Sequence, residues 1–260
     1  MTAMIARLLA YRSLLLVFVW REYLIRYKQS MLGILWAVVQ PLSMMFLFVF
    51  VFGTILKVES HGYPFPLFFY SGLLPWAFFS GALNYCIPSL TNHYTLITRI
   101  YFPREIIPLA GTAVCLFDFC ISALVYFLLL LVYGVKITPS FILLVPLMVE
   151  LFLFTFAVGL FLAALNVYYR DVRLVSSFLI QLWFFASPVI YSLKDVDSSF
   201  KMVLYLNPLT FLIESIRQAT LEGTWCDPWY FSLSFAACLL LWYLSYSFFC
   251  RVERAFADVI

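Results

Sequence analysis

Six long apolar segments constrain this chain more than any other feature of its sequence. They lie at residues 32–56, 67–90, 106–133, 141–165, 174–192 and 229–250. Each meets or approaches the roughly 20 residues that a helix needs to cross about 30 Å of hydrocarbon. Only 11% of the residues are charged, whereas a soluble domain carries about 25%. The sequence therefore predicts an all-α integral membrane protein, with six transmembrane helices per chain in a single domain over residues 1–260.

The distribution of Lys and Arg predicts the orientation of these helices. If the N-terminus is cytoplasmic, the regions on that side hold eleven of the 16 Lys and Arg residues, and the other side holds five. Cytoplasmic loops carry an excess of these residues in membrane proteins. The sequence thus predicts a multi-pass protein of the cytoplasmic (inner) membrane with both termini cytoplasmic. The net charge of +3 reflects this topology and does not indicate nucleic-acid binding.

The stretch before the first apolar segment, residues 11–31, has the pattern of an amphipathic helix. At 100° per residue one face carries Leu16, Val17, Val19, Trp20, Tyr23, Leu24 and Tyr27, and the other carries Arg21, Glu22, Arg26, Lys28 and Gln29. The sorting is imperfect, since Leu14, Leu15, Phe18 and Ile25 lie on the polar side. Such a helix suits the headgroup boundary, with its cations near anionic lipid. A charged flank of the first transmembrane helix remains the alternative.

The region between the last two apolar segments, residues 193–228, is too long and too apolar for a plain loop. Phe200–Leu206 is apolar, Asn207-Pro208 interrupts it, and Leu209–Leu221 is amphipathic. Neither half can span a bilayer, and irregular backbone at membrane depth needs protein or water around it. We expect two short re-entrant helices that dip in from the outer surface.

Two acids, Asp118 and Glu150, lie deep in apolar segments. A charge at that depth costs roughly 2.5–3.5 kcal/mol on insertion scales. Helix–helix hydrogen bonding and proton-coupled transport are both open roles, and the absence of Lys, Arg or His inside the apolar segments favours the structural one. Isolated His61 and the Asp195-Val196-Asp197 run are interpreted as solvated loop residues. The sequence contains no phosphate-binding loop, so no cofactor is expected in this chain.

Several motifs resemble those of ABC-2 type permeases that export bacterial cell-surface polysaccharides such as O-antigen, capsule and teichoic acid. They are Arg26–Trp36 with Gln40-Pro41-Leu42, Gly72–Phe79, Tyr101–Glu105, Leu165–Val172, Phe185–Tyr191, and Asn207-Pro208-Leu209-Thr210 with Glu214, Arg217 and Gly223. The resemblance covers the chain from Tyr11 to about Gly223. It implies a transport subunit without enzymatic activity, acting as a homodimer with two cytoplasmic ATPase subunits that bind ATP and Mg. The cargo would be a lipid-linked polysaccharide.

The resemblance also implies roles for particular residues. A cytoplasmic segment that docks on the ATPase would include Arg99, Tyr101, Phe102, Arg104 and Glu105, together with Arg170 and Asp171. Pro103 predicts a helix start, with an acid in its first turn. The alternatives are a plain amphipathic connector for the first group and a headgroup anchor for Arg170 and Asp171. Candidate residues of the glycan pathway or gate are Trp36, Trp76, Tyr85, Trp183, Pro188 and Tyr191.

Two other functions remain open on the sequence alone. An ABC-2 permease for another lipid or for drugs would share the architecture. A membrane enzyme acting on polyprenyl-linked sugars would need paired acids on the inner face, and the inner loops offer only Glu22, Glu105 and Asp171, which are far apart in sequence. The missing pair of acids argues against the enzyme.

Overall fold

The structure, a computed structural model, describes residue 7 and residues 9–28, 30–57 and 62–256. The predicted loop residue His61 and Gln29 of the predicted amphipathic helix lie outside these ranges. Ten α-helices follow one another in the described part: α1 Arg12–Tyr27, α2 Trp36–Phe48, α3 Phe65–Asn92, α4 Tyr94–Arg99, α5 Ile106–Val132, α6 Leu144–Tyr168, α7 Asp171–Phe185, α8 Ser198–Tyr205, α9 Pro208–Arg217 and α10 Pro228–Val252. The same residues contain no β-strand. The predicted all-α class is confirmed.

Five helical stretches in the described ranges are long and apolar enough to cross a membrane. They are Gly33–Ile55, which contains α2, then Phe65–Asn92, Ile106–Val132, Pro139–Tyr168 and Pro228–Val252. Each agrees with a predicted segment to within three residues at either end. The remaining segment, 174–192, corresponds to α7, whose 15 residues reach only about 22 Å before turns lead to Ser192. The number of six crossings stays a prediction.

Helix α3 forms the centre of the bundle. It packs against α2, α5, α6 and α9, and most of its side chains are buried. Aromatic contacts hold it in place: the ring centroid of Phe79 lies 5.5 Å from that of Phe154 on α6, and Phe78 lies 5.6 Å from Phe119 on α5. The Gly33–Ile55 stretch and α7 lie at the periphery, where most of their large apolar side chains are exposed. These faces suit lipid or another chain.

Helix α1 packs on α5 with residues from both sides of the predicted amphipathic pattern, including Tyr27 from the apolar side. Phe18, from the predicted polar side, is buried, and Glu22 and Arg26 are partly buried against the bundle. Leu16 and Trp20, from the predicted apolar face, are exposed. The reason is that Glu22 and Arg26 meet charged partners inside the chain, so part of the charged side packs on the bundle as well. Gly33, with a φ of 52°, then supplies the turn into the first apolar stretch, a conformation that glycine adopts without strain.

Helices α8 and α9 are separated at Asn207-Pro208, as the sequence predicts. The Asn207 side chain accepts a hydrogen bond from the Leu209 N–H at 3.1 Å, which caps α9. Arg217, at the end of α9, donates to the carbonyl oxygens of Val189 (2.8 Å) and Tyr191 (3.2 Å). A Cβ on Gly72 of α3 would lie 2.8 Å from the Arg217 guanidinium. Arg217 therefore links α9 to the segment after α7. Its guanidinium also lies against α3 at a position where a side chain larger than glycine would collide with it.

Candidate functional site

A cavity of about 530 Å³ lies between the end of α1, the start of α2, and the middle of α3 and α5. Its polar lining residues are Arg26, Gln40, Ser43, Ser80, Asn84, Asp118 and Ser122, and its aromatic ones are Tyr27, Trp36, Trp76, Phe78 and Phe119. We call it the aromatic–amide cavity. No other described cavity combines charged, amide and indole groups within the membrane-spanning part of the chain.

Helical spacing brings these groups together. On α2, Trp36, Gln40 and Ser43 follow one another at intervals of four and three residues, which is one helix face. On α3, Trp76, Ser80 and Asn84 are spaced by four residues each, and on α5 Asp118 and Ser122 are as well. The Ser122 hydroxyl also donates to the Ala37 carbonyl oxygen at 3.0 Å, so α5 and α2 are linked directly beside the cavity.

An ion pair between Arg26 and Asp118 forms the wall of the cavity nearest to α1. The Arg26 Nη1 lies 2.7 Å from Asp118 Oδ2, and the Tyr27 hydroxyl donates to the other carboxylate oxygen. The guanidinium also lies over the Tyr85 ring, 4.9 Å from its centroid. No Lys, Arg or His lies inside the apolar segments themselves, and the cation that pairs with Asp118 comes from the helix before the first span. The pairing fits the structural role that the sequence favoured.

The second deep acid, Glu150, is completely buried between α6 and α10. It accepts a hydrogen bond of 2.5 Å from the Ser234 hydroxyl and a weaker one of 3.7 Å from the Cys238 thiol. Both bonds go to Oε1, and Oε2 is buried without a hydrogen-bond partner among the described residues. Glu150 thus also links two helices, as the structural interpretation predicts.

Two amides in the cavity were missed by the sequence analysis. Gln40 and Asn84 both have exposed side chains, and neither side chain makes a hydrogen bond to another described residue. An unsatisfied amide facing hydrocarbon is costly, so these groups need water or a polar ligand. The available signal was the occurrence of Gln and Asn inside otherwise apolar segments.

The predicted pathway residues fall into two groups. Trp36, which is 46% exposed, and Trp76 line the cavity, and Tyr85 adjoins it through Arg26. The other three lie elsewhere. Trp183 packs on Phe79 with ring centroids 5.1 Å apart. Pro188 and Tyr191 belong to the segment after α7, where the Tyr191 carbonyl oxygen accepts from Arg217. The structure brings three of the six together, and their transport roles stay predictions.

The predicted docking residues lie at the end of the bundle formed by residues 93–105, 169–170 and 252–256, named the inner end after the predicted orientation. Arg99 and Tyr101 are exposed, as are Arg170, in the short turn before α7, and Asp171, the first residue of α7. Tyr101 is 90% exposed. These four side chains are available to a partner, and their docking role stays a prediction.

The other three docking candidates contact their own chain. The Phe102 ring stacks on Phe18 at 5.8 Å, and the Arg104 guanidinium lies 5.8 Å from the ring centroid of Phe256. Glu105 is fully buried, 3.8 Å from Arg7, and burial raises the pKa of its carboxyl group. The predicted helix start also shifts: α5 begins at Ile106, because the residues from Pro103 to Glu105 form a turn in which the Ile106 N–H donates to the Pro103 carbonyl oxygen. Phe102, Arg104 and Glu105 therefore hold the segment between α4 and α5 in place by contacts inside the chain.

A second ion pair joins α1 to the end of α3. His93 Nε2 lies 3.1 Å from Glu22 Oε1, and His93 Nδ1 lies 2.8 Å from the Ser89 carbonyl oxygen. The hydrogen bond with Glu22 raises the pKa of His93, although burial and nearby Arg21 oppose the shift. A histidine with a raised pKa stabilises the fold fully below its ordinary pKa of about 6.5, and this contribution is lost as the pH rises through the raised value.

We therefore expect the attachment of α1 to weaken as the pH rises from the ordinary histidine pKa of about 6.5 through the raised pKa of His93. The thermal unfolding midpoint of the purified protein should decline over this interval. In a Glu22→Gln variant the His93 pKa should return toward its ordinary value, so the decline should move to lower pH and become smaller. Identical pH profiles for the two proteins would contradict the assignment.

Comparison with known proteins identifies the family. The family described as "ABC-2 type transporter" matches residues 13–221. An O-antigen export system permease protein, RfbA, from Myxococcus xanthus is 32% identical over the whole of both chains. A protein of the same name from Klebsiella pneumoniae is 29% identical over 95% of each chain. The polysialic acid transport protein KpsM of Escherichia coli is 26% identical over 78% of this chain and 79% of its own. On this match, which includes every element of the cavity, the chain belongs to the ABC-2 type transporter family.

Proposed function

We propose that this chain is the membrane subunit of an ATP-driven exporter that moves a lipid-linked, O-antigen-like polysaccharide across the cytoplasmic membrane. Relatives named for O-antigen export match it over 95–100% of their length. The observation that carries the proposal is the aromatic–amide cavity, because it places hydrogen-bonding groups beside indole rings inside an otherwise apolar bundle. The motif resemblance to polysaccharide exporters supports the same function.

The cavity has the chemistry that a carbohydrate needs. Sugar hydroxyls both donate and accept hydrogen bonds, and the amides of Gln40 and Asn84 offer both functions. The C–H faces of a sugar ring stack on aromatic rings, which Trp36 and Trp76 supply at the cavity wall. An apolar lipid chain or an apolar drug would leave the two amides unpaired, at a cost in binding free energy. A sugar is therefore the cargo that can hydrogen-bond both amides and stack on the indole rings of the cavity.

The size of the cavity is the reason for proposing that two copies of the chain work together. About 530 Å³ holds a small ligand but cannot pass a polymer, whereas a two-fold pair of chains offers a pathway between protomers. We propose a homodimer in which each chain crosses six times, with α7 and the turns after it as the fifth crossing. In this arrangement α1 lies at the membrane interface, α8 and α9 are re-entrant from the outer face, and both termini are cytoplasmic.

The energy comes from a separate protein in this proposal. Two ATPase subunits, which bind ATP and Mg, dock on the inner end of the dimer. Arg99, the last residue of α4, and Tyr101 are exposed side chains that meet them, together with Asp171, the exposed first residue of α7. The chain alone is not expected to hydrolyse ATP.

Export from a strain that lacks this chain tests the proposal. Reintroducing the wild-type chain should restore polysaccharide at the cell surface and clear lipid-linked glycan from the inner leaflet. A Gln40→Leu/Asn84→Leu double variant should export about tenfold less, since each lost hydrogen bond is worth about 0.5–1.5 kcal/mol. Surface polysaccharide and intracellular glycan are both quantified on the same cultures.

The matched control is Gln181→Leu, which removes an exposed amide of α7 that does not line the cavity. It should export as the wild type does. Leucine favours membrane insertion, so reduced export by the double variant would not come from failed insertion. If the strain without the chain displays normal polysaccharide, the proposed function is wrong. If that strain fails to display polysaccharide but the double variant exports as the wild type does, the proposed function stands and the cavity is not the glycan site.

A further inference from the structure

A second cavity, of about 890 Å³, runs as a groove between α6, α7 and α10. Its wall is almost entirely aliphatic and aromatic, with Leu162 of α6, Val175 and Leu179 of α7, and Leu244 of α10 among its members. It follows α7 from Asp171 to Trp183, a length of about 18 Å along the helix. A groove so apolar does not retain water. A hydrocarbon chain is the ligand that such an apolar wall favours.

Two exposed arginines lie close in sequence to the residues at the mouth of the groove, although neither lines the groove itself. Arg170 and Arg173 flank Asp171, which lines the groove mouth, and neither forms an ion pair with any residue in the described ranges. The Lys and Arg distribution assigns this end to the cytoplasmic leaflet, where anionic headgroups attract such cations. The apolar wall and the two arginines together match an anionic lipid: a hydrocarbon chain along α7 and a phosphate at the inner end.

An aromatic wall separates this groove from the aromatic–amide cavity. Trp76 packs on Phe184 with ring centroids 5.3 Å apart, and Phe79 packs on Trp183 at 5.1 Å. A glycan held in the cavity could not place its own lipid tail in the groove of the same chain without parting these rings. The separation favours a lipid of the bilayer over the lipid anchor of the cargo.

We propose that the groove is a binding site for an anionic glycerophospholipid, which keeps one acyl chain between α6, α7 and α10 and its phosphate at Arg170 and Arg173. The lipid fills a gap that the protein leaves open beside α7, whose outer face is exposed. It therefore supports a helix that is buried along one side only, at Ser176, Ile180 and Phe184. This site does not depend on what the protein exports.

Native mass spectrometry of the purified full-length chain in mild detergent, with extraction and identification of the lipids that co-purify, tests this site. We expect a retained anionic phospholipid. A Leu179→Trp variant, which fills the groove, should retain it about tenfold less, since a few CH₂ groups are kept out. The control, Leu174→Trp, places the same indole on α7 at a residue that is 74% exposed and does not line the groove. It should retain lipid as the wild type does.

A second pair of variants tests the phosphate contact. Arg170→Ala/Arg173→Ala should retain the phospholipid about 30-fold less, as expected for two cations at a lipid headgroup. Arg12→Ala, which removes an exposed arginine of α1 away from the groove, should have no effect. Equal retention by the Leu179→Trp and Leu174→Trp variants would overturn the proposal. So would a polyprenyl lipid in place of the phospholipid, or cross-linking of residue 179 to a second copy of the chain.

Discussion

Replacing Asp118 by alanine should destabilise the folded protein by about 3–5 kcal/mol, because the change leaves the Arg26 guanidinium largely buried without its counter-charge. Both side chains are mostly shielded, at 26% exposure for Arg26 and 15% for Asp118. The same change removes the acceptor of the Tyr27 hydroxyl. A lowered thermal unfolding midpoint in detergent and faster proteolysis near α1 are the measurements.

A charge exchange distinguishes the ion pair from simple packing. The Arg26→Asp/Asp118→Arg double variant restores opposite charges across the same gap, so it should recover part of the stability that each single variant loses. The control is Cys120→Ala, two residues along α5, where the thiol is exposed. If Asp118→Ala unfolds at the wild-type temperature, or if the exchange recovers nothing, the pair does not hold α1 on the bundle.

Hydropathy predicted the elements of this fold well, because each depends on local sequence. A helix needs only its own apolar length to be recognised, and five stretches match their predicted segments closely. The break between α8 and α9 follows from Asn207-Pro208, since proline cannot continue a preceding helix. Residues 169–170 likewise form the short turn that the sequence predicts between α6 and α7.

The contacts between elements could not be predicted in the same way. Arg26 and Asp118 are separated by 91 intervening residues, and nothing in the local pattern of either indicates the other. The amphipathic pattern of α1 did not show which residues pack on the bundle, since Phe18 from its polar side and Tyr27 from its apolar side are both buried. Glu105 is a similar case: its sequence position suggests a docking residue, whereas its carboxylate is buried near Arg7. Long-range pairing decides these orientations, and one sequence does not contain that information.

Burial at the inner end also decides which variants can test docking. Glu105→Lys would place a second cation beside Arg7 in a buried position, so it would lower stability and would not report on a partner. Arg99 and Tyr101 are better choices, since both are exposed and make no side-chain contact that holds the fold together within the described chain. The short helix α4 and the internal contacts of Phe102 and Arg104 hold these two side chains outward.

Arg99→Glu and Tyr101→Ala should each weaken binding of the partner ATPase by about 30-fold or more, while the permease remains inserted and folded. Arginine and tyrosine dominate protein interfaces, where truncation of a central residue costs about 2 kcal/mol or more. Charge reversal adds repulsion from any acid that Arg99 meets. We would measure the affinity between the purified permease and its ATPase and the ATP hydrolysis by the complex, and export should fall with both.

The control variants Lys136→Glu and Tyr133→Ala make the corresponding charge reversal and truncation at exposed residues beyond the other end of α5. They should bind the ATPase normally. Wild-type affinity in both test variants would show that the segment after α4 is only a connector, because a docking surface cannot lose its most exposed aromatic side chain and its cation without losing affinity.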